Sequence, residues 1–254
     1  MIDMTDEKDI FNRTERLVGK AILEEISRKQ VIIFGIGGVG SWCAESLVRS
    51  GIRQLTIVDA DNVCATNVNR QSMATMKTIG MVKVDALKSK LLDINPQAEI
   101  KAIKGVYKAE TRDDFQLERY DYVVDAIDSL ECKKELILHA TSLPSHVKFF
   151  SSMGAALKMD PTLVEADEFW NVKGCPLARA LRQKFKRAHM FPKRKFQVVY
   201  SPEVLPNLGQ DVVNDTTADI GPKASINGTM AHITAIFGFT LAGLILQDIY
   251  QKGL

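Results

Sequence analysis

The 254-residue chain has only four cysteines, Cys43, Cys64, Cys132 and Cys175, and no two of them form a C-x-x-C pair. That lack excludes a tetrathiolate zinc site of ordinary spacing, and such scattered thiols point to a reducing, cytoplasmic setting. The start is acidic, with Asp3, Asp6, Glu7 and Asp9, so no secretory or transit segment is expected there. Neither charge sign is in excess, with 33 Lys+Arg against 31 Asp+Glu and a net charge of +2, so any polyanion site must come from local clustering. There is no internal repeat, low-complexity tract or linker, which excludes a solenoid and leaves one continuous unit over 1–254 as the expectation.

One stretch lacks charge altogether, between Lys223 and Asp248. It is long enough to span a bilayer, but Asn227, His232, Gly228, Gly238 and Gly243 weaken its hydropathy. Two readings stand. A helix buried in the core or in a dimer interface is favoured over membrane contact.

The first two-thirds alternates strand and helix signals, which implies a parallel sheet. Helices are expected over 13–29, 39–50, 81–94 and 131–140, and strands over 31–35, 55–59, 99–103, 122–125 and 147–151. After Ser151 the pattern changes to short strands at 154–159, 163–166 and 195–200, closed by a long helix over 226–250. The expected fold is therefore α/β: a Rossmann-like, mostly parallel sheet extended by a few mixed strands, with a long C-terminal helix.

Gly35, Gly37, Gly38 and Gly40 lie in a G-x-G-x-x-G run between the first strand and its helix. Gly35 suits the tight turn, Gly37 the approach of phosphates, and Gly40 close helix–strand packing. The helix N-terminus adds free N–H groups and partial positive charge for an anion. Asp59 ends the second strand, where its carboxylate can accept bonds from ribose hydroxyls.

The loop alone does not separate NAD from ATP. The following residues favour ATP. Asp59-Ala60-Asp61 leads to Asn67-Val68-Asn69-Arg70, and Lys83 opens the next helix. Two cations beside the loop suit a triphosphate under nucleophilic attack, where like charges at 4 Å repel by about 4 kcal/mol in a partly screened site. Asp128, just past the fourth strand, suits Mg²⁺ on that triphosphate. Asp125 reads equally as a second such carboxylate or as a cap.

Taken in order, Asn12-Arg13, Gly35-x-Gly37-x-x-Gly40, Asp59-x-Asp61, Asn67-x-x-Arg70, Lys83 and Asp128 resemble the ubiquitin-activating-like adenylyltransferases over about 11–160. That resemblance implies ATP and Mg²⁺, with Arg70, Lys83 and Asp128 catalytic. It also implies a homodimer in which Arg13 reaches the partner subunit's ATP site. Sulfur-carrier-activating members usually hold zinc in two C-x-x-C pairs, which this chain lacks.

Instead, Pro176-Leu177-Ala178-Arg179-Ala180-Leu181-Arg182 is similar to a helix of the tRNA threonylcarbamoyladenosine dehydratase branch, as is Val198-Val199-Tyr200-Ser201. The branch implies ATP-dependent adenylation and cyclisation of a carboxylate on tRNA, with a sulfur-transfer protein as a conceivable partner.

Charge supports a tRNA partner independently. Residues 173–195 carry Lys173, Arg179, Arg182, Lys184, Lys186, Arg187, Lys193, Arg194 and Lys195 and no acidic residue. Phe185, His189 and Phe191 lie among them as candidates for stacking, with core packing favoured for Phe185. Weaker alternatives are adenylation of a carrier protein's C-terminus, with Cys175 as an acceptor thiol, a non-enzymatic tRNA module, and an NAD oxidoreductase.

Overall fold

A computed structural model describes residues 7–209 and 227–253. Two short helices, α1 (Glu7–Ile10) and α2 (Asn12–Val18), precede α3 (Lys20–Arg28). The single helix expected over 13–29 is thus divided. Gly19 takes φ +83°, which no helix accommodates, and its N–H closes α2 on the Glu15 carbonyl.

The half carrying the glycine run follows: β1 (Gln30–Phe34), α4 (Gly40–Arg49), β2 (Gln54–Asp59), α5 (Lys83–Ile94) and β3 (Glu99–Lys104). Then come β4 (Tyr122–Asp125), α6 (Leu130–Ser142), β5 (Lys148–Ser152), β6 (Glu165–Glu168), α7 (Pro176–Ala188), β7 (Gln197–Tyr200) and α8 (Ala231–Lys252). All seven strands join one sheet in the order β3-β2-β1-β4-β5-β7-β6, parallel except for the antiparallel β6–β7 pair. The expected α/β fold is the one found.

Central strands β1 and β4 read as nearly continuous apolar runs because helices cover both sheet faces. The order reverses between β1 and β4, so the chains leaving Phe34 and Asp125 start towards opposite halves of the sheet and a crevice lies at the carboxyl edge beside them. That crevice is where open α/β sheets receive ligands.

No strand forms over 154–159. Leu157 sits in the left-handed region at φ +59°, which breaks an extended run. The long last helix begins at Ala231, and the expected start at Ile226 lies outside the described residues.

Among the described residues, α8 is the one helix long and apolar enough to cross a bilayer. Here Ile233, Phe237, Leu241, Ile245 and Ile249, four apart, form a ridge buried with α4 and the sheet. Each such side chain contributes about 1.5–3 kcal/mol on burial. Gly238 allows the contact, since a Cβ there would lie 2.8 Å from the Cys43 nitrogen of α4. Phe239, Gly243 and Tyr250 remain exposed on the other side.

Candidate active site

Gly35 adopts φ +79°, and a Cβ on it would lie 2.7 Å from the Ala126 carbonyl oxygen. A Cβ on Gly40 would collide with the Gly35 carbonyl oxygen. Both positions therefore require glycine, and the loop after β1 packs backbone on backbone against the loop after β4. Gly38 rests against Thr234 of α8, whereas the nearest atom to a Cβ on Gly37 would be Gln71 Nε2 at 3.7 Å. Gly37 is thus the open side of a cradle at the N-terminus of α4.

Asp59 clamps that cradle. Its Oδ2 accepts the Ile36 N–H at 2.9 Å and its Oδ1 the Asp61 N–H at 3.0 Å. Burial pushes its carboxyl above the usual range although Lys83 lies 3.9 Å away. Each oxygen keeps a second lone pair that a ribose hydroxyl can use. The ammonium of Lys83, almost wholly buried at the first turn of α5, donates to Asp61 Oδ2 at 2.7 Å.

Asn67 is buried, and its Oδ1 accepts the Cys64 N–H at 3.0 Å while its carbonyl accepts the Arg70 and Gln71 N–H groups. The turn thus formed presents Arg70, whose guanidinium donates to the Thr66 carbonyl at 2.7 Å and Asn69 Oδ1 at 3.0 Å. Burial lowers the Arg70 pKa while neighbouring Asp128 opposes it, so the cation stays charged. The Arg70 carbonyl accepts from Trp42 Nε1 at 2.9 Å and Thr234 Oγ1 at 3.4 Å, which fixes the segment to α4 and α8. Asp128 is exposed on the opposite wall. Arg70, Lys83, Asp59, Asp61 and Asp128 thus meet the glycine cradle at one sheet edge.

A family model for the ThiF family matches residues 11–253. The chain belongs to the ThiF family. Two relatives bear the name tRNA threonylcarbamoyladenosine dehydratase. The Bacillus subtilis protein is 35% identical, with 95% of this chain and 94% of that protein covered. The Escherichia coli protein is 31% identical at the same coverage of both chains. The crystal structure of the E. coli tRNA N6-threonylcarbamoyladenosine dehydratase in complex with ATP superposes with a TM-score of 0.84 at 29% identity, covering 99% of this chain and 98% of that one.

Within this ThiF-family fold the remaining sequence-derived candidates fall into different places. Arg13 is exposed on α2, which follows buried Phe11. Phe11 lies near Gly51 at the far end of α4, so Arg13 is not brought to the cradle of its own chain. Asp125, left open between metal ligand and cap, is fully buried: its oxygens accept Lys133 Nζ at 2.7 Å, Ser151 Oγ at 2.6 Å and the Ile127 N–H at 3.0 Å. It is a strut under the loop carrying Asp128. Cys175 is buried at the start of α7.

The basic stretch divides too. Arg182 donates to the carbonyls of Phe169, Trp170 and Val172, and Arg194 to those of Ala140, Leu143, Pro144 and Val147. Both guanidiniums, expected on RNA, are engaged with backbone carbonyls of their own chain. Lys184 pairs with Glu131 at 2.5 Å. Arg179, Lys186, Arg187 and Lys193 stand exposed, and Phe185 is fully buried.

Sequence reasoning missed three groups. Gln71 is 6% exposed and its Oε1 has no partner, beside Gly37, where a ligand in the cradle would meet it. Its signal was adjacency to Arg70. Lys133 is wholly buried; it sits among Cys132, Leu136 and Ile137 on the apolar face of α6, a pattern that marks a cation with a buried partner. The third is a relay: Ser41 Oγ donates to the Gly37 carbonyl and accepts the Ser72 N–H, while Glu45 accepts from Ser72 Oγ and pairs with Lys90 at 2.8 Å. It ties the cradle to the Arg70–Gln71 turn.

Proposed function

We propose that this chain is an ATP-dependent tRNA threonylcarbamoyladenosine dehydratase, working through an adenylated carboxylate. The observation that carries the reading is the meeting of two cations, Arg70 and Lys83, with a cradle that only glycine can form, in a chain matched over 95% of its length by relatives of that name.

The cradle fits a nucleotide: Gly37 leaves room for phosphate, Gln71 holds an unpartnered buried oxygen, and Asp59 has acceptor capacity for a ribose. Gly35, Gly37, Gly38 and Gly40 hold the phosphates, with Asp59, Asp61 and Asn67 shaping the ribose side. The substrate carboxylate attacks the α-phosphorus and pyrophosphate leaves. Arg70 and Lys83 stabilise the charge that accumulates on the leaving group, an effect strongest in a water-poor site. A nucleophile of the same modified base then displaces AMP. That ring closure is intramolecular, so the orientation entropy is already met and no protein nucleophile is needed. The net change is loss of one water.

Asp128, an exposed carboxylate at this edge, fits Mg²⁺, which takes few carboxylates and keeps its waters. Arg13, exposed and remote from its own cradle, suits a role in the site of a second copy, which makes the working unit a homodimer. Residues 11–160 act as the nucleotide-binding core, and 161–254 supply the tRNA side through Arg179, Lys184, Lys186, Arg187 and Lys193. The test is product release from Mg-ATP: AMP and pyrophosphate formed with threonylcarbamoyladenosine tRNA support the reading. Release with a carrier protein and none with that tRNA overturns it.

A further inference from the structure

Most aromatic rings of the β5–β7 half are buried: Phe149, Phe169, Phe185 and Phe196 form its core. Two are not. Trp170 is 38% and Phe191 47% exposed, with ring centroids 6.4 Å apart and planes tilted by 41°. Neither ring is loosely placed. The Trp170 N–H donates to Glu168 Oε2 at 3.2 Å, its carbonyl accepts from Arg182 at 3.1 Å, and its ring leans edge-on against Phe169 at 5.2 Å. Phe191 is held on both sides. His189 turns the chain at φ +51°, Met190 N–H bonds the Phe185 carbonyl, and Lys193 N–H bonds Thr141 Oγ1.

Lys186, Arg187, Lys193 and Lys195, which flank Phe191 within five residues in the chain, are all exposed. Of the nearby carboxylates, Asp167 accepts from Asn171 and the Glu168 N–H, and Glu168 turns one oxygen to the Trp170 N–H and keeps the other buried without a partner. Four exposed cations thus stand against two local anions. Rigid aromatic faces among several cations are what an unstacked base with flanking phosphates requires. A protein partner would favour a larger apolar area poor in lysine.

We propose that Trp170 and Phe191 form a stacking platform for an unpaired base of the substrate tRNA, with Lys186, Arg187, Lys193 and Lys195 on the adjoining phosphates. This rests on the tRNA reading above. The stacked base is not the reacting one. Glu168 pairs with Gln197 while Ser151 at the carboxyl edge pairs with Val198, and Trp170 continues from Glu168 away from that edge. The platform therefore anchors a second unpaired region, away from the ATP crevice.

The test compares wild type, Trp170→Ala/Phe191→Ala and Trp170→Phe for affinity to modified tRNA over a salt series, for ATP affinity and for tryptophan emission. The double variant is expected to bind tRNA roughly tenfold more weakly or worse, with its salt slope and ATP affinity unchanged. Trp170→Phe keeps affinity within about twofold of wild type, since a phenyl ring still stacks. It also loses the quenching that tRNA produces in wild type. Unchanged tRNA affinity in the double variant overturns the platform while leaving the dehydratase reading intact. Wild type that binds no tRNA overturns both, and a carrier protein whose adenylation needs Trp170 and Phe191 would then claim the surface.

Discussion

The cradle edge and the α7 surface are built on opposite principles. At the cradle, position is set by backbone: two glycines without room for a Cβ, a carboxylate clamped on two N–H groups, and buried cations each given a partner. On α7 and the segment after it, charge is plentiful but only part of it faces outward, because Arg182 and Arg194 bond carbonyls of their own chain. A motif in the first region is therefore a statement about geometry. A cluster in the second is a statement about composition, and only the fold says which members are available.

The largest effect should come from breaking the cradle. Gly40→Ala drives a Cβ into the Gly35 carbonyl, and ATP binding should fall roughly 100-fold by calorimetry, near the upper end of overpacking costs of about 1–3 kcal/mol because the strain falls in the phosphate turn itself. Next is the strut: Lys133→Met leaves Asp125 buried and uncompensated, which should cost about 3–5 kcal/mol in denaturant unfolding. Asp125→Asn/Lys133→Met, with both charges removed, should recover much of that loss. Lys83→Ala should lower turnover about 10²–10³-fold with tRNA affinity preserved, as measured by AMP release and direct binding.

That comparison also explains what the sequence made legible. Gly35–Gly40, Asp59 and Asp128 could be placed together from the sequence because each sits at or soon after the carboxyl end of a strand near the switch point, where chain order fixes neighbourhood. Arg70 and Lys83, by contrast, lie on the long β2–α5 connection and were singled out by charge and spacing. Lys133 was not, because its partner Asp125 is on another element and a helical lysine is usually solvated. The strand expected at 154–159 failed on one residue, Leu157, whose left-handed backbone no apolar pattern announces. The inward turn of Arg182 depends on three carbonyls of the 169–172 segment, a tertiary fact.

On the α7 side effects should be smaller and separable. Arg182→Met should lower stability by about 1.5–3 kcal/mol, the range for hydrogen bonds from a charged group, with the salt dependence of tRNA binding unaltered. Lys186→Ala/Arg187→Ala should do the reverse: stability within about 0.5 kcal/mol, and a slope of log affinity against log salt shallower by roughly 0.7–0.9 per charge removed.

The smallest expected effect is a pH dependence. Burial pushes the Glu45 carboxyl up, but hydrogen bonds from Lys90, Ser72 and Arg49 outweigh it and hold it below its ordinary value of 4.5. A depressed carboxylate contributes stability above the unfolded value and loses it as pH falls through the folded one. Stability should therefore drop as pH is lowered below 4.5, and Glu45→Gln should flatten that part of the curve.

The central claim is most directly tested by mass spectrometry of nucleosides from gently digested tRNA, after threonylcarbamoyladenosine tRNA has been incubated with the protein and Mg-ATP. The account predicts that the modified nucleoside loses the mass of one water, with ATP required and with Lys83→Ala leaving the mass unchanged. A nucleoside of unaltered mass, under conditions where the protein binds both ATP and that tRNA, would contradict it.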